Sequence, residues 1–167
     1  MILLGLSTLA IHSVVHANKT RLPTQLHSLF YAFLFSFFLF FFKKNKIFIT
    51  TREEEAIGIA VGMTLSQSNS LVFMQNAGFA NSLSTITSLV QLYEIPMIFL
   101  LGWRGFLQND AIEHTKIGKI QPKLLQALSL QSKILNEKNW KASCDWAIKS
   151  IKEKKLCVLI LKRDFLD

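Results

Sequence analysis

Four short runs with almost no polar residue constrain this chain more than any other feature: residues 47–50 (IFIT), 71–74 (LVFM), 97–101 (MIFLL) and 158–161 (VLIL). A strand with one wet face alternates apolar and polar side chains, so a run that is apolar throughout is covered on both sides. The stretches between these runs carry helical spacing instead. Residues 52–66 place Ile57, Val61 and Leu65 four apart, and residues 78–93 put Leu83, Ile86, Leu89, Val90 and Tyr93 on one side. Pro122 reads as the start of a short helix over 123–130, and 139–152 gives a longer one. Buried strands alternating with amphipathic helices predict an α/β fold, an open, mostly parallel sheet of about five or six strands with helices on both faces. Crossovers in such a sheet are right-handed.

Ligands of open α/β sheets sit outside the carboxyl ends of the strands. Those ends fall at residues 50–53, 75–81 and 102–105, and all three are polar. Arg52-Glu53-Glu54-Glu55 sets three carboxylates at a helix start, where the helix dipole alone would favour them. Gln75-Asn76-Ala77-Gly78-Phe79-Ala80-Asn81 joins a strand to a helix, with Gly78 allowing close backbone approach. An Asn cap with a turn glycine would look the same, and the lysine of a phosphate-binding loop is missing. Gly102-Trp103-Arg104-Gly105 offers a guanidinium that could grip a carboxylate, sulfonate or phosphonate. Packing of Trp103 beside a surface charge is the plainer reading. His114 is a candidate acid or base, although a lone loop histidine is commonly only polar surface.

Composition removes some functions. The net charge is +8, but the lysines are scattered with no arginine stripe, which argues against nucleic acid. Cys144 and Cys157 have neither disulfide nor metal-ligand spacing, so no metal is assigned to this chain and a reducing, cytoplasmic setting is expected. Residues 29–42 (LFYAFLFSFFLFFF) are strongly apolar, yet shorter than the roughly 20 residues a membrane span needs. They read as a buried helix, with a membrane anchor as the competing reading. Residues 1–22 read as a poorly specified leader lacking the basic start of a secretory signal. The domain is expected to run over 23–167.

The segments TREEEAIGIAVGMTL, LVFMQNAGFANSLSTITSLV and EIPMIFLLGWRG, with Glu113-His114 and GKIQPKLLQAL, together resemble the pyrimidine-binding domain of sulfopyruvate and phosphonopyruvate decarboxylases. The likeness runs over 46–167. It implies a thiamine-diphosphate-binding fold and the alpha subunit of a 2-oxoacid decarboxylase. The family's key glutamate lies nine positions before a helix glycine; Gly62 thus puts that role on Glu53, against the aminopyrimidine of thiamine diphosphate. The cofactor is the electron sink for loss of carbon dioxide. By the same resemblance Gln75, Asn76, Gly78 and Asn81 line the pyrimidine end, while Trp103, Arg104 and His114 border a small anionic 2-oxoacid substrate. Arg104 is expected to anchor its sulfonate or phosphonate.

Two departures from the family follow. No Gly-Asp-Gly occurs, so magnesium and the diphosphate are expected on a beta subunit, in a hetero-oligomer with at least two of each chain. The family's Gly-Val-Pro loop is reduced to Pro23 in Arg21-Leu22-Pro23. That change keeps open a non-catalytic partner subunit of the same fold, or a membrane-anchored version.

Overall fold

In the computed structural model the described residues are 2–5, 47–106 and 110–162. They form six strands: β1 (Ile2–Gly5), β2 (Ile47–Thr50), β3 (Leu71–Gln75), β4 (Ile98–Trp103), β5 (Ser132–Ile134) and β6 (Cys157–Lys162). The order is β2-β1-β3-β4-β6-β5, and each pairing is parallel. The open parallel α/β sheet read from the apolar runs is therefore present. Ile2–Gly5, inside the stretch read as a leader, is one of its inner strands. The segments around Pro23 and the phenylalanine run at 29–42 lie outside the described residues.

Side-chain alternation divides the core into two layers. Val72, Met74, Phe99, Leu101, Val158 and Ile160 face one way and pack on Ile57, Val61, Phe79, Ile86, Val90 and Leu125. Phe79 meets Phe99 edge to face at 5.7 Å. On the other side Leu100, Cys157 and Leu159 pack on Ala147. Burial pushes the Cys157 thiol up to about 11, against a weaker opposing pull from Ser150, which makes it an inert core residue. Among the described residues no helix is long and apolar enough to cross a membrane.

The helices are α1 (Glu53–Leu65), α2 (Asn76–Asn81), α3 (Leu83–Thr85), α4 (Thr115–Ala127) and α5 (Trp140–Lys152), with a π-helical turn at Ile86–Gln91. Two differ from expectation. The single helix expected over 78–93 is three pieces, because hydroxyls compete for its carbonyls. Ser82 Oγ donates to the Gly78 carbonyl, Thr87 Oγ1 to Leu83 and Ser88 Oγ to Ser84. Pro122 does not open a helix but lies inside α4. A proline there lacks the N–H that the carbonyl four residues back needs. That carbonyl is Gly118, and the Trp103 indole N–H donates to it at 2.9 Å. The tryptophan replaces the missing donor, so the helix continues.

Candidate functional site

The chain turns from β1 outward to β2 in one direction and from β3 to β4 in the other. Such a reversal of strand order is where open α/β sheets leave a crevice. The loops after β2 and β3 meet there, over the end of β1 between them.

At the end of β2, Thr50 Oγ1 donates to the Arg52 carbonyl at 2.8 Å, shaping the turn into α1. No side chain caps the helix, so the acidic first turn supplies the charge its free amides favour. The three glutamates then separate. Glu54 lies 3.7 Å from Arg52, and Glu55 accepts from Thr51 Oγ1 at 3.1 Å near the surface. Glu53 is only 7% exposed. Its carboxyl crosses to the end of β3 and lies on Gly78, where an added Cβ would come within 2.5 Å of both Cγ and Oε1. Spanning two strand spacings, roughly 10 Å, is feasible because the helix start overhangs the sheet. Gly78 is glycine because a methyl group would collide with this carboxyl. Among the described residues no hydrogen bond or ion pair engages the Glu53 carboxylate. A sheltered, unengaged carboxylate is set up to receive a donor from a ligand.

The end of β4 is built in the opposite manner. Asn76 is fully buried; its Nδ2 donates to the Arg104 carbonyl at 3.0 Å and its Oδ1 accepts from the Arg104 N–H at 3.1 Å. The amide thus clasps the β3 and β4 ends together. Arg104 Nε donates to both oxygens of Asp110 at 2.9 Å, and its Nη2 also meets that carboxylate. The Gly105 and Ala111 N–H groups donate to Asp110 at 2.7 and 2.9 Å. Burial would make the Asp110 carboxyl harder to ionise, but the Arg104 fork and these two amides outweigh it, holding the carboxyl far below its ordinary range. Arg104 is therefore tied into an ion pair rather than presented alone.

Two glycines let this loop touch α4 backbone to backbone. Gly105 has φ +80°, and an added Cβ would strike the His114 carbonyl. A Cβ on Gly118 would strike the Gly105 carbonyl carbon and the Arg104 carbonyl oxygen. His114 sits at the N-cap of α4, after the turn Ile112–His114, half-buried.

Of the residues singled out from sequence, the fold brings Glu53 onto Gly78 and Asn76 onto Arg104. Gln75 is half-buried at the last position of β3, and Asn81 ends α2 exposed to solvent. Asp110 and Gly118 were not singled out; Gly102 and Gly105, flanking Trp103-Arg104, were the only signal for the close packing there. For thiamine diphosphate, Glu53 over Gly78 fits the pyrimidine end. The sequence carries no Gly-Asp-Gly for the diphosphate end, and among the described residues no three His, Cys, Asp or Glu converge as metal ligands.

No protein-family model matches the chain. Individual relatives do. The chain is 36% identical over 80 residues to the sulfopyruvate decarboxylase subunit alpha of Methanococcus maripaludis, covering 48% of each. It is 36% identical over 88 residues to that of Methanocaldococcus jannaschii, covering 52% of each. With the phosphonopyruvate decarboxylase of Streptomyces viridochromogenes it shares 30% identity over 82 residues, 48% of this chain and 21% of that enzyme. The match thus spans about half the length of the alpha subunits.

Proposed function

We propose that this chain is the cofactor-activating alpha subunit of a thiamine-diphosphate-dependent 2-oxoacid decarboxylase acting on sulfopyruvate, phosphonopyruvate or a close analogue. The observation that carries the reading is the sheltered carboxylate of Glu53 lying on Gly78 at the switch point of the sheet. The names of the relatives support the reaction class.

Glu53 would hold a proton at a ring nitrogen of the aminopyrimidine, a role that calls for direct hydrogen-bond contact. Its shelter from water strengthens that contact, since few solvent molecules compete. Gly78 keeps the floor beneath the carboxyl flat, and Gln75 and Asn81 border the same end. Asn76 fixes the two strand ends at a constant separation through Arg104. The bound cofactor supplies the nucleophilic carbon and the electron sink for decarboxylation. Trp103, Arg104 and His114 border the substrate side. Because Asp110 engages the guanidinium, Arg104 holds the loop in shape in place of the anchoring role its charge suggests.

A partner chain with the diphosphate and magnesium sites completes the enzyme. The outer side of α1 supports such a partner: Ile59 and Leu65 are exposed, and Gly58 and Gly62 have open space above them. An assembly with at least two of each chain in the cytoplasm completes the reading.

The test mixes the chain with its diphosphate-binding subunit, thiamine diphosphate and magnesium, and follows release of carbon dioxide from sulfopyruvate and phosphonopyruvate. Release by the wild type, cut by about 10²–10⁴ in Glu53→Gln and unchanged in Glu54→Gln, is the expected outcome. Full activity in Glu53→Gln would refute the catalytic assignment. A stable complex that releases nothing would make the chain a non-catalytic partner.

A further inference from the structure

We infer that the sheet face opposite α1 is an intramolecular docking surface, and that its occupant is the apolar run 29–42 of this same chain. Every connection whose helix is described obeys one rule of hand. Moves toward the β5 edge run from β2 to β3, from β3 to β4 and from β4 to β5. They carry α1, then α2 with the π-helical turn, then α4, over the face of Val72, Phe99 and Val158. The move back, from β5 to β6, carries α5 over the face of Leu100 and Leu159. Both follow the right-handed sense that parallel crossovers keep. The chain leaves β1 at Gly5 and enters its parallel neighbour β2 at Ile47, so residues 6–46 have to return along the length of the sheet. That step also runs away from the β5 edge, which puts its right-handed path on the α5 face. The other face is taken, since α1 packs on β1, β2 and β3 together.

Among the described residues, the α5 face over β2 and β3 is apolar and only partly covered. The register aligns Ile47 and Ile49 of β2 with Leu71 and Phe73 of β3, across β1. Ile49 is 67% exposed, and Ile47, Leu71 and Phe73 are half-buried. Helix α5 lies toward the far edge, packed on Leu100, Cys157 and Leu159. One of its flanks puts Trp146 under the Lys133 ammonium of β5, 4.9 Å away. At about 3.6 residues per turn, the opposite flank holds Cys144, Ile148 and Ile151 and turns toward β3. Ile148 on that flank is 51% exposed. An apolar strip thus runs from Ile148 past Phe73 to Ile49, roughly 15 Å or three strand spacings wide. One more element beside α5 fits that width. Residues 29–42 carry no charge and are mostly phenylalanine and leucine, as such a strip requires. With both ends of 6–46 fixed on β1 and β2, the run is held beside the strip at a high effective concentration, which favours it over a second copy or a bilayer. The inference uses neither Glu53 nor the cofactor and stands apart from the proposed function.

The test places the photo-reactive residue p-benzoylphenylalanine in the full-length chain at Ile49 or at Ile148, with Ile59 on the outer side of α1 as the control. Chains carrying ¹⁴N and ¹⁵N are mixed in equal amounts and irradiated, and the tryptic peptides are mapped by mass spectrometry. Ile49 and Ile148 should each link to residues 29–42 of the same isotope, and Ile59 should not. Either position decides the matter if the other variant does not fold. Links that cross isotopes would give the face to a second copy and overturn the proposal. Links only to other parts of the chain, or none, would overturn it too. So would links that vanish when phosphatidylcholine–phosphatidylglycerol vesicles are added, since the run would then belong to a bilayer.

Discussion

The ends of β2 and β3 and the end of β4 both set charged side chains beside glycine, and they treat those charges in opposite ways. At β4 the Asp110 carboxylate collects the Arg104 fork and two backbone amides, and Asn76 locks the same loop from below. At β2 the Glu53 carboxylate is largely sheltered too, but is left open to a ligand over bare backbone. A charge at a strand end therefore says little until its partners are known. The saturated cluster shapes the crevice, and the unsaturated one is available for chemistry.

That contrast can be broken by exchanging costs. Asp110→Ala leaves Arg104 without its carboxylate in a half-buried place and should destabilise the fold by about 3 kcal/mol, near the lower end for a broken buried pair. Chemical denaturation measures it, and a change comparable to that of a surface pair would deny the cluster its structural role. Gly78→Ala should do the reverse. The new Cβ displaces the end of the Glu53 side chain, so activity in the reconstituted complex falls by on the order of 10². The melting temperature should move little, because a flexible carboxyl can swing aside. Unchanged activity would mean that the position of Glu53 is immaterial.

Smaller effects sharpen the β4 side. Trp103→Phe keeps the ring but strands the Gly118 carbonyl within a helix that Pro122 has already deprived of a donor. A loss of about 1–2 kcal/mol is expected by thermal unfolding. The pH dependence has a definite sign. The carboxyl of Asp110 is depressed in the fold, so its stabilisation is present in full above its ordinary value of 3.8 and is lost as pH falls through the lower folded value. Acid titration of Asp110→Asn should lack that component, and identical acid profiles would contradict it.

Much of the frame was legible in the residues themselves. Continuous apolar runs located β2, β3, β4 and β6, because burial on both faces leaves an unbroken pattern. β5 escaped notice because Ser132-Lys133-Ile134 is short and carries polar residues at an exposed sheet edge. Ile2–Gly5 fell within the stretch read as a leader, with nothing local to reveal that β2 and β3 flank it. Pro122 was misread because its missing N–H is answered from Trp103, far along the chain. The role of Arg104 depends on Asp110 for the same reason: a guanidinium in a sequence shows its charge and not its partner.

The most direct measurement of the central claim is exchange of the cofactor's thiazolium proton with deuterium in the assembled complex, read by NMR after rapid quenching. With Glu53 in place the exchange should be fast, and Glu53→Gln should slow it by about 10² or more, with Glu54→Gln matching the wild type. Equal exchange in all three would show that this carboxylate does not activate the cofactor.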